Sequence, residues 1–321
     1  MRAVTIGDHG GPEALRVEEI DQPEPDEGEL LVEVGAAGIN PVDTYFRDGS
    51  YNPVSLPFTP GVDIAGTVVA AGEGVDSFSV DDRVYGTGIG NGEHQGAYAE
   101  YATVPTDRVV ELPDNAEMTQ AGAAGVVACT AWRALVDHAN LDPAEYCLVH
   151  GGSGGVGHVA VQIAAAVRAQ CLTTAAPTYH DEIGALGAET VLDYGREDLA
   201  EAVIDASDGG VDVVLDHRLD DYLQFDADVA AADATVVGIG ENDPAPAFSA
   251  VAGGRAKDVT YQLMSMFNTP DLRVPLRGVA HLMNVGALEV EVARSYDLGE
   301  AAKAQRDVMT DSFLGKLVIE P

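Results

Sequence analysis

Residues 146–168 begin Tyr146-Cys147-Leu148-Val149-His150 and continue Gly151-Gly152-Ser153-Gly154-Gly155-Val156-Gly157, then HVAVQIAAAVR from His158 to Arg168. The first five residues suit a short buried strand. The last eleven are alanine-rich and apolar, as expected of a helix lying on a sheet. Between them, Gly152, Gly154 and Gly157 form G-x-G-x-x-G. Such glycines permit a tight turn, a close backbone approach to a pyrophosphate, and close packing of helix on strand. The N–H groups and partial positive charge of the helix start favour the same anion. A strand before the motif and a helix after it are the context that separates dinucleotide binding from an ordinary glycine turn.

Outward from this turn, strand and helix patterns alternate. Cys171–Ala175, Val211–Asp216 and Ala234–Gly240 read as strands, and Val259–Met264 as another. Alternation of this kind predicts a doubly wound parallel sheet in an α/β fold. Residues 119–139 predict an apolar helix with Thr119 as its N-cap. Residues 1–110 differ: Leu30–Val34, Gly66–Ala71, Asp82–Gly86 and Gly96–Ala102 read as short strands between Gly/Pro/Asp turns. They predict a compact, mostly antiparallel barrel-like domain.

The chain has 321 residues, enough for two domains, and 46% are hydrophobic. Asp and Glu number 53 against 17 Lys and Arg, a formal charge of −36. The carboxylates are spread evenly and the lysines are only Lys257, Lys303 and Lys316. This resembles the solvated acidic surface of proteins from extreme halophiles. No run of five or six like charges marks an acidic tail. The charge argues against nucleic-acid binding, which needs clustered Lys and Arg. Cys129, Cys147 and Cys171 lie in apolar segments without C-x-x-C spacing, which predicts a reducing compartment. With no signal peptide or long apolar run in view, the expectation is a cytoplasmic protein without a membrane partner.

Three motifs carry a resemblance over essentially the whole chain: Ala37-Gly38-Ile39-Asn40-Pro41-Val42-Asp43-Thr44-Tyr45-Phe46-Arg47-Asp48-Gly49-Ser50-Tyr51, Pro60-Gly61-Val62-Asp63-Ile64-Ala65-Gly66, and the glycine turn. Together they resemble the zinc-free, zeta-crystallin-like quinone oxidoreductase family of the medium-chain dehydrogenase/reductase superfamily. The resemblance implies a GroES-like mainly antiparallel β-barrel domain over 1–124, completed by 267–321, and a Rossmann-type domain over 125–266. It implies NADPH-dependent, metal-free hydride transfer to a quinone or other α,β-unsaturated carbonyl. Alternatives are an enoyl-thioester reductase and a non-catalytic NADPH-binding protein.

Zinc-dependent relatives carry a ligand cysteine near Asn40, Gly-His-Glu where this chain has Gly61-Val62-Asp63, and a four-cysteine lobe where Asn91–Gly96 has none. No tetrahedral set of thiolates and imidazoles can be assembled from these positions, and His94 reads as a solvated loop residue. The resemblance places Asn40, Tyr45 and Tyr51 at the acceptor as catalytic residues. It places Asp43, Thr130, Gly152, Gly154, Gly155, Val156, Gly157, Tyr194, Gly238, Ile239, Gly240, Phe267 and Lys316 at the cofactor. Packed-residue readings stand beside these for Thr130, Tyr45 and Tyr51. Strand 171–175 ends on Ala175-Ala176-Pro177-Thr178, without the carboxylate that holds an NAD ribose, so NADPH is expected ahead of NADH. The lysine or arginine of many relatives is missing there, and Arg196 reads either as added charge or as a solvated side chain. His217-Arg218-Leu219 stands where relatives have glycines. The strand at 259–264 matches the one through which relatives form homodimers.

Overall fold

The computed structural model describes residues 1–51 and 54–321. These form two compact units, Thr130–Thr269 and, from two stretches of chain, Met1–Cys129 with Pro270–Pro321. The family resemblance implies breaks at 124/125 and 266/267.

The contiguous unit is built on a six-stranded sheet in which every neighbouring pair is parallel. Across the sheet the strands run Thr190–Asp193, Gln170–Ala175, Tyr146–Val149, Val211–Asp216, Ala230–Gly238 and Thr260–Leu263. Cys147, Leu148, Val149, Val213, Val214 and Leu215 are all buried, as strands covered on both faces must be. The first three strands in the chain spread one way from Tyr146–Val149, and the next three spread the other way. The winding therefore reverses between Tyr146–Val149 and Val211–Asp216, and ligands of such sheets bind outside the carboxyl ends at that point. The glycine turn leaves the sheet there.

In the other unit Glu29–Ile39 is the organising strand. It pairs antiparallel with Asp63–Ala71, Tyr101–Pro105 and Lys316–Ile319. Asp63–Ala71 continues to Arg83–Thr87 and then Val109–Glu111, and Val292–Tyr296 runs parallel to Lys316–Ile319. One core joins both stretches of chain: Leu30, Val32, Ile64 and Tyr98 pack with Tyr296, Leu298, Leu317 and Ile319.

Several local expectations are corrected. The strand expected at Gly96–Ala102 lies at Tyr101–Pro105, whose alternating burial fits a one-sided strand. Residues 96–98 instead bond to the backbone of residues 59–61. The helix expected over 119–139 runs Met118–Trp132 and then widens into a π-helical turn, Arg133–His138. Thr119 is inside it, and Glu117 supplies the first carbonyl, to Ala121 N–H. The strand expected at 234–240 is Ala230–Gly238, which leaves Ile239 and Gly240 beyond its end. Among the described residues no helix is long and apolar enough to cross a membrane.

Candidate functional site

The helix after the glycine turn spans Gly155–Val167, three residues earlier than its apolar pattern alone indicates, with Gly154 as N-cap. Gly155, Val156 and Gly157 are thus its first turn, whose N–H groups have no acceptor within the helix. Two motif glycines are required by packing. A Cβ on Gly152 would overlap the Thr173 hydroxyl, and one on Gly157 would overlap the Gly151 carbonyl. Among the described residues a Cβ at Gly154 meets only the Gly151 carbonyl, at 3.3 Å, and the residue is exposed. Beyond that α-carbon there is room for a phosphate. The turn is tied to the second strand by Gly151 N–H to Thr174 Oγ1 (3.1 Å) and Gly152 N–H to Thr174 O (2.9 Å). Donors, dipole and open space fit a dinucleotide pyrophosphate.

The other unit holds a buried polar network centred on Asn40. Lys316 Nζ donates to Asn40 Oδ1 (2.5 Å) and to Ile39 O (2.7 Å), and Asn40 Nδ2 donates to Asp63 Oδ2 (2.8 Å). Asp43, in the first turn of the helix Pro41–Asp48, accepts from Asn40 N–H (2.8 Å), Val62 N–H (3.0 Å) and Tyr98 Oη (3.1 Å). Asp63 Oδ1 accepts Val126 N–H (2.7 Å). All five side chains are buried. Burial pushes Asp43 up to about 7 and raises Asp63, while it lowers Lys316. One cation thus faces two desolvated carboxylates. Both ends of the Asn40 amide are engaged, so its orientation is fixed by its neighbours.

The remaining positions lie as follows. Tyr45 and Tyr51 expose 37% and 55% of their surface, leaving each able to meet a ligand. The Tyr51 ring meets Phe46 edge-on at 5.7 Å. Thr130 is buried in its helix, and Phe267 is half-buried in the short turn Met266–Asn268. Gly238 closes its strand, and Ile239 N–H bonds to Asp216 O (2.8 Å). Tyr194 is exposed. His94, expected to be solvated, is half-buried with Nδ1 3.4 Å from Glu29 Oε1.

Comparison with known proteins adds to this geometry. Residues 26–114 match the alcohol dehydrogenase GroES-like domain, and residues 186–319 match the zinc-binding dehydrogenase domain. A quinone oxidoreductase of Lama guanicoe is 34% identical over 99% of this chain and 97% of its own length. The chain belongs to the zeta-crystallin-like quinone oxidoreductase family of the medium-chain dehydrogenases/reductases. Its fold agrees with that of the Escherichia coli quinone oxidoreductase, solved in complex with NADPH, at a TM-score of 0.89, 28% identity and full coverage of both chains. An NAD-dependent alcohol dehydrogenase gives a TM-score of 0.93 at 26% identity, again over both chains entire. The second domain model carries zinc in its name, but among the described residues no group of three His, Cys, Asp or Glu side chains could hold a metal ion.

One cluster in this quinone oxidoreductase fold escaped sequence reasoning. His150 Nε2 lies 2.9 Å from Asp226 Oδ1, both side chains fully buried, and the imidazole stacks on Tyr222 at 4.0 Å. Asp216 lies close enough to Asp226 for each carboxyl to feel the other's charge. Asp216 Oδ2 and Asp226 Oδ2 find no hydrogen-bond partner among the described residues. A proton shared between the two carboxyls satisfies both. Burial accordingly pushes Asp226 up to about 8 and Asp216 up to about 7, and keeps His150 neutral by lowering it to about 4. Leu219, Tyr222, Asp226 and Val229 share the inward spacing of their helix, and that spacing was the signal available in the sequence.

In the unfolded chain both carboxyls titrate near 4. Between about pH 4 and 8 the folded state therefore holds a proton that the unfolded state has released, so this pair's contribution to stability falls as pH rises. Asp226→Asn is expected to flatten that decline across about pH 5 to 8 in thermal unfolding. Parallel wild-type and variant profiles would exclude the shared proton.

Proposed function

We propose that the chain is an NADPH-dependent, metal-free reductase of quinones and related α,β-unsaturated carbonyls. The observation that carries this reading is the open glycine turn at the winding reversal of a sheet whose relatives are quinone oxidoreductases. When bound, the nicotinamide supplies the hydride. The first-turn N–H groups of Gly155–Gly157 hold the pyrophosphate, and Gly238–Gly240 pass the nicotinamide ribose. Tyr45 and Tyr51 offer hydroxyls to the acceptor oxygen as it gains negative charge. Asn40 is set by Lys316 and Asp63 rather than free to rotate. Asp43 and Lys316, given their burial, act through Asn40 and its helix rather than on the cofactor.

The test is NADPH oxidation followed against quinones, enones and enoyl thioesters in molar KCl, before and after dialysis against a strong chelator. Quinone turnover indifferent to chelation is the expected result. A thioester reduced far faster than any quinone would make the enzyme an enoyl-thioester reductase. Tight NADPH binding without turnover would leave a non-catalytic protein, and zinc-restored activity would end the metal-free reading.

The formal charge of −36 supports a halophilic setting, and the three free, buried cysteines support a cytoplasmic one. Screening over roughly 3 Å at 1 M salt relieves the mutual repulsion of the carboxylates. The unfolding midpoint is expected to rise between about 0.1 M and 3 M KCl, and a midpoint that stays level would remove the halophilic reading. Among the described residues the strand Thr260–Leu263 has a neighbour on one side only, and Leu263 is 68% exposed. Such an edge is able to pair with a second copy, in keeping with a homodimer.

A further inference from the structure

The end of the second strand is where a sheet of this type discriminates between the ribose 2′-hydroxyl and 2′-phosphate. Parallel register sets Asp193 beside Ala175. The turn Asp193–Arg196 and the segment Ala176–His180 therefore follow the ends of two adjacent strands. From Gln170 to Ala200 the chain has six carboxylates, Asp181, Glu182, Glu189, Asp193, Glu197 and Asp198, against one arginine. Asp181 and Glu182 are exposed in the first turn of the helix His180–Ala185. Asp193 is held by its own turn, its Oδ1 accepting Gly195 N–H at 2.8 Å. His180 is committed as well, with Nε2 3.2 Å from Ala175 O.

The single guanidinium is only half available. Arg196 Nε donates to Asp198 Oδ1 (2.7 Å) and Nη2 to Asp198 Oδ2 (2.9 Å). That bidentate pair consumes one edge of the fork and leaves Nη1 for another acceptor. Asp198 is exposed and Arg196 half-buried at the surface, so the pair is weak and is screened by salt.

Resting on the NADPH reading above, we propose that Arg196 is the 2′-phosphate contact. We further propose that its partial neutralisation by Asp198, amid surrounding carboxylates, makes the preference for NADPH over NADH depend on salt. A 2′-phosphate brings between one and two negative charges near neutral pH. In dilute buffer the net acidic surroundings repel it, which offsets the contact with Arg196. In molar salt that repulsion is confined to a few ångströms, while the direct phosphate–guanidinium hydrogen bond, made at contact, persists. NADH lacks the phosphate and is largely indifferent to both effects.

The experiment measures dissociation constants of NADPH and NADH by fluorescence titration in about 0.1 M and 3 M KCl. Wild type, Arg196→Gln and Asp198→Asn are compared. The wild-type affinity ratio, NADPH over NADH, is expected to rise with salt. Arg196→Gln should lower that ratio about tenfold or more in high salt without weakening NADH. Asp198→Asn should raise it up to about fivefold in low salt, a gain that disappears at 3 M. A ratio flat with salt, equal losses of both cofactors in Arg196→Gln, or an Asp198→Asn ratio that falls would each overturn the inference. Because binding is the readout, absent quinone turnover would count against the proposed reaction and leave this comparison to decide cofactor choice.

Discussion

Replacing Gly155 by valine is expected to leave a folded protein whose affinity for NADPH has fallen at least about tenfold, roughly 1.4 kcal/mol. Gly155 is the first residue of the helix after the cofactor turn, with Gly154 capping it. Gly152 and Gly157 are poor places to test binding. Side chains at Gly152 and Gly157 would collide with Thr173 and with the Gly151 carbonyl, so those variants lose fold and binding together. At a helix start, valine costs the fold only about half a kcal/mol or less. A branched side chain there intrudes where a phosphate must approach the first-turn N–H groups. Circular dichroism and gel filtration check the fold, and fluorescence titration measures binding. Wild-type affinity in a well-folded Gly155→Val protein would mean that the cofactor does not sit on this turn, and the proposed reaction would fall with it.

The second large effect is expected at Lys316. Its ammonium is buried against Asn40 and the Ile39 carbonyl, within the field of Asp43 and Asp63. Lys316→Met keeps most of the volume and removes the only cation of that network. Deleting one partner of a buried charge set leaves the other uncompensated, at a cost of about 3–5 kcal/mol. The loss is expected to be greater at about pH 8 than at pH 5, because protonated carboxyls no longer need the ammonium. Calorimetric unfolding of wild type and variant at both pH values measures it. A variant as stable as wild type at the higher pH would show that the carboxylates are already protonated there and that Lys316 contributes nothing by its charge.

The parallel sheet and its cofactor turn were legible in the sequence because their signals are local. The glycines at Gly152, Gly154 and Gly157 stand at a fixed spacing between a strand and a helix, and apolar runs mark strands buried on both faces. Boundaries were less legible. The helix begins at Gly155 because first-turn residues need no apolar pattern, and the strand at Tyr101–Pro105 is set by its partner Glu29–Ile39. The π-helical turn at Arg133–His138 leaves no mark in composition. The polar networks were the hardest part. Lys316 and Asn40 stand 276 positions apart, and His150 and Asp226 stand 76 apart. Charged residues that look solvated in a strongly acidic chain become buried partners only when the topology brings them together. Asp63 lies inside the Pro60–Gly66 motif, but its hold on Asn40 depends on that folding.

That separation also bears on how the protein is made. The unit Thr130–Thr269 is continuous, so every strand of its sheet has left the ribosome while Lys316 is still unsynthesised. The strand Lys316–Ile319 is bonded to Ile39, Gly38 and Ala37, and the amide of Asn40 waits on the same residues. Until they emerge, Asp43 and Asp63 belong to an unfinished domain whose carboxylates have no ammonium between them. The order of translation thus completes the glycine turn first and the Asn40 network last, and a nascent chain halted before residue 316 carries the former without the latter.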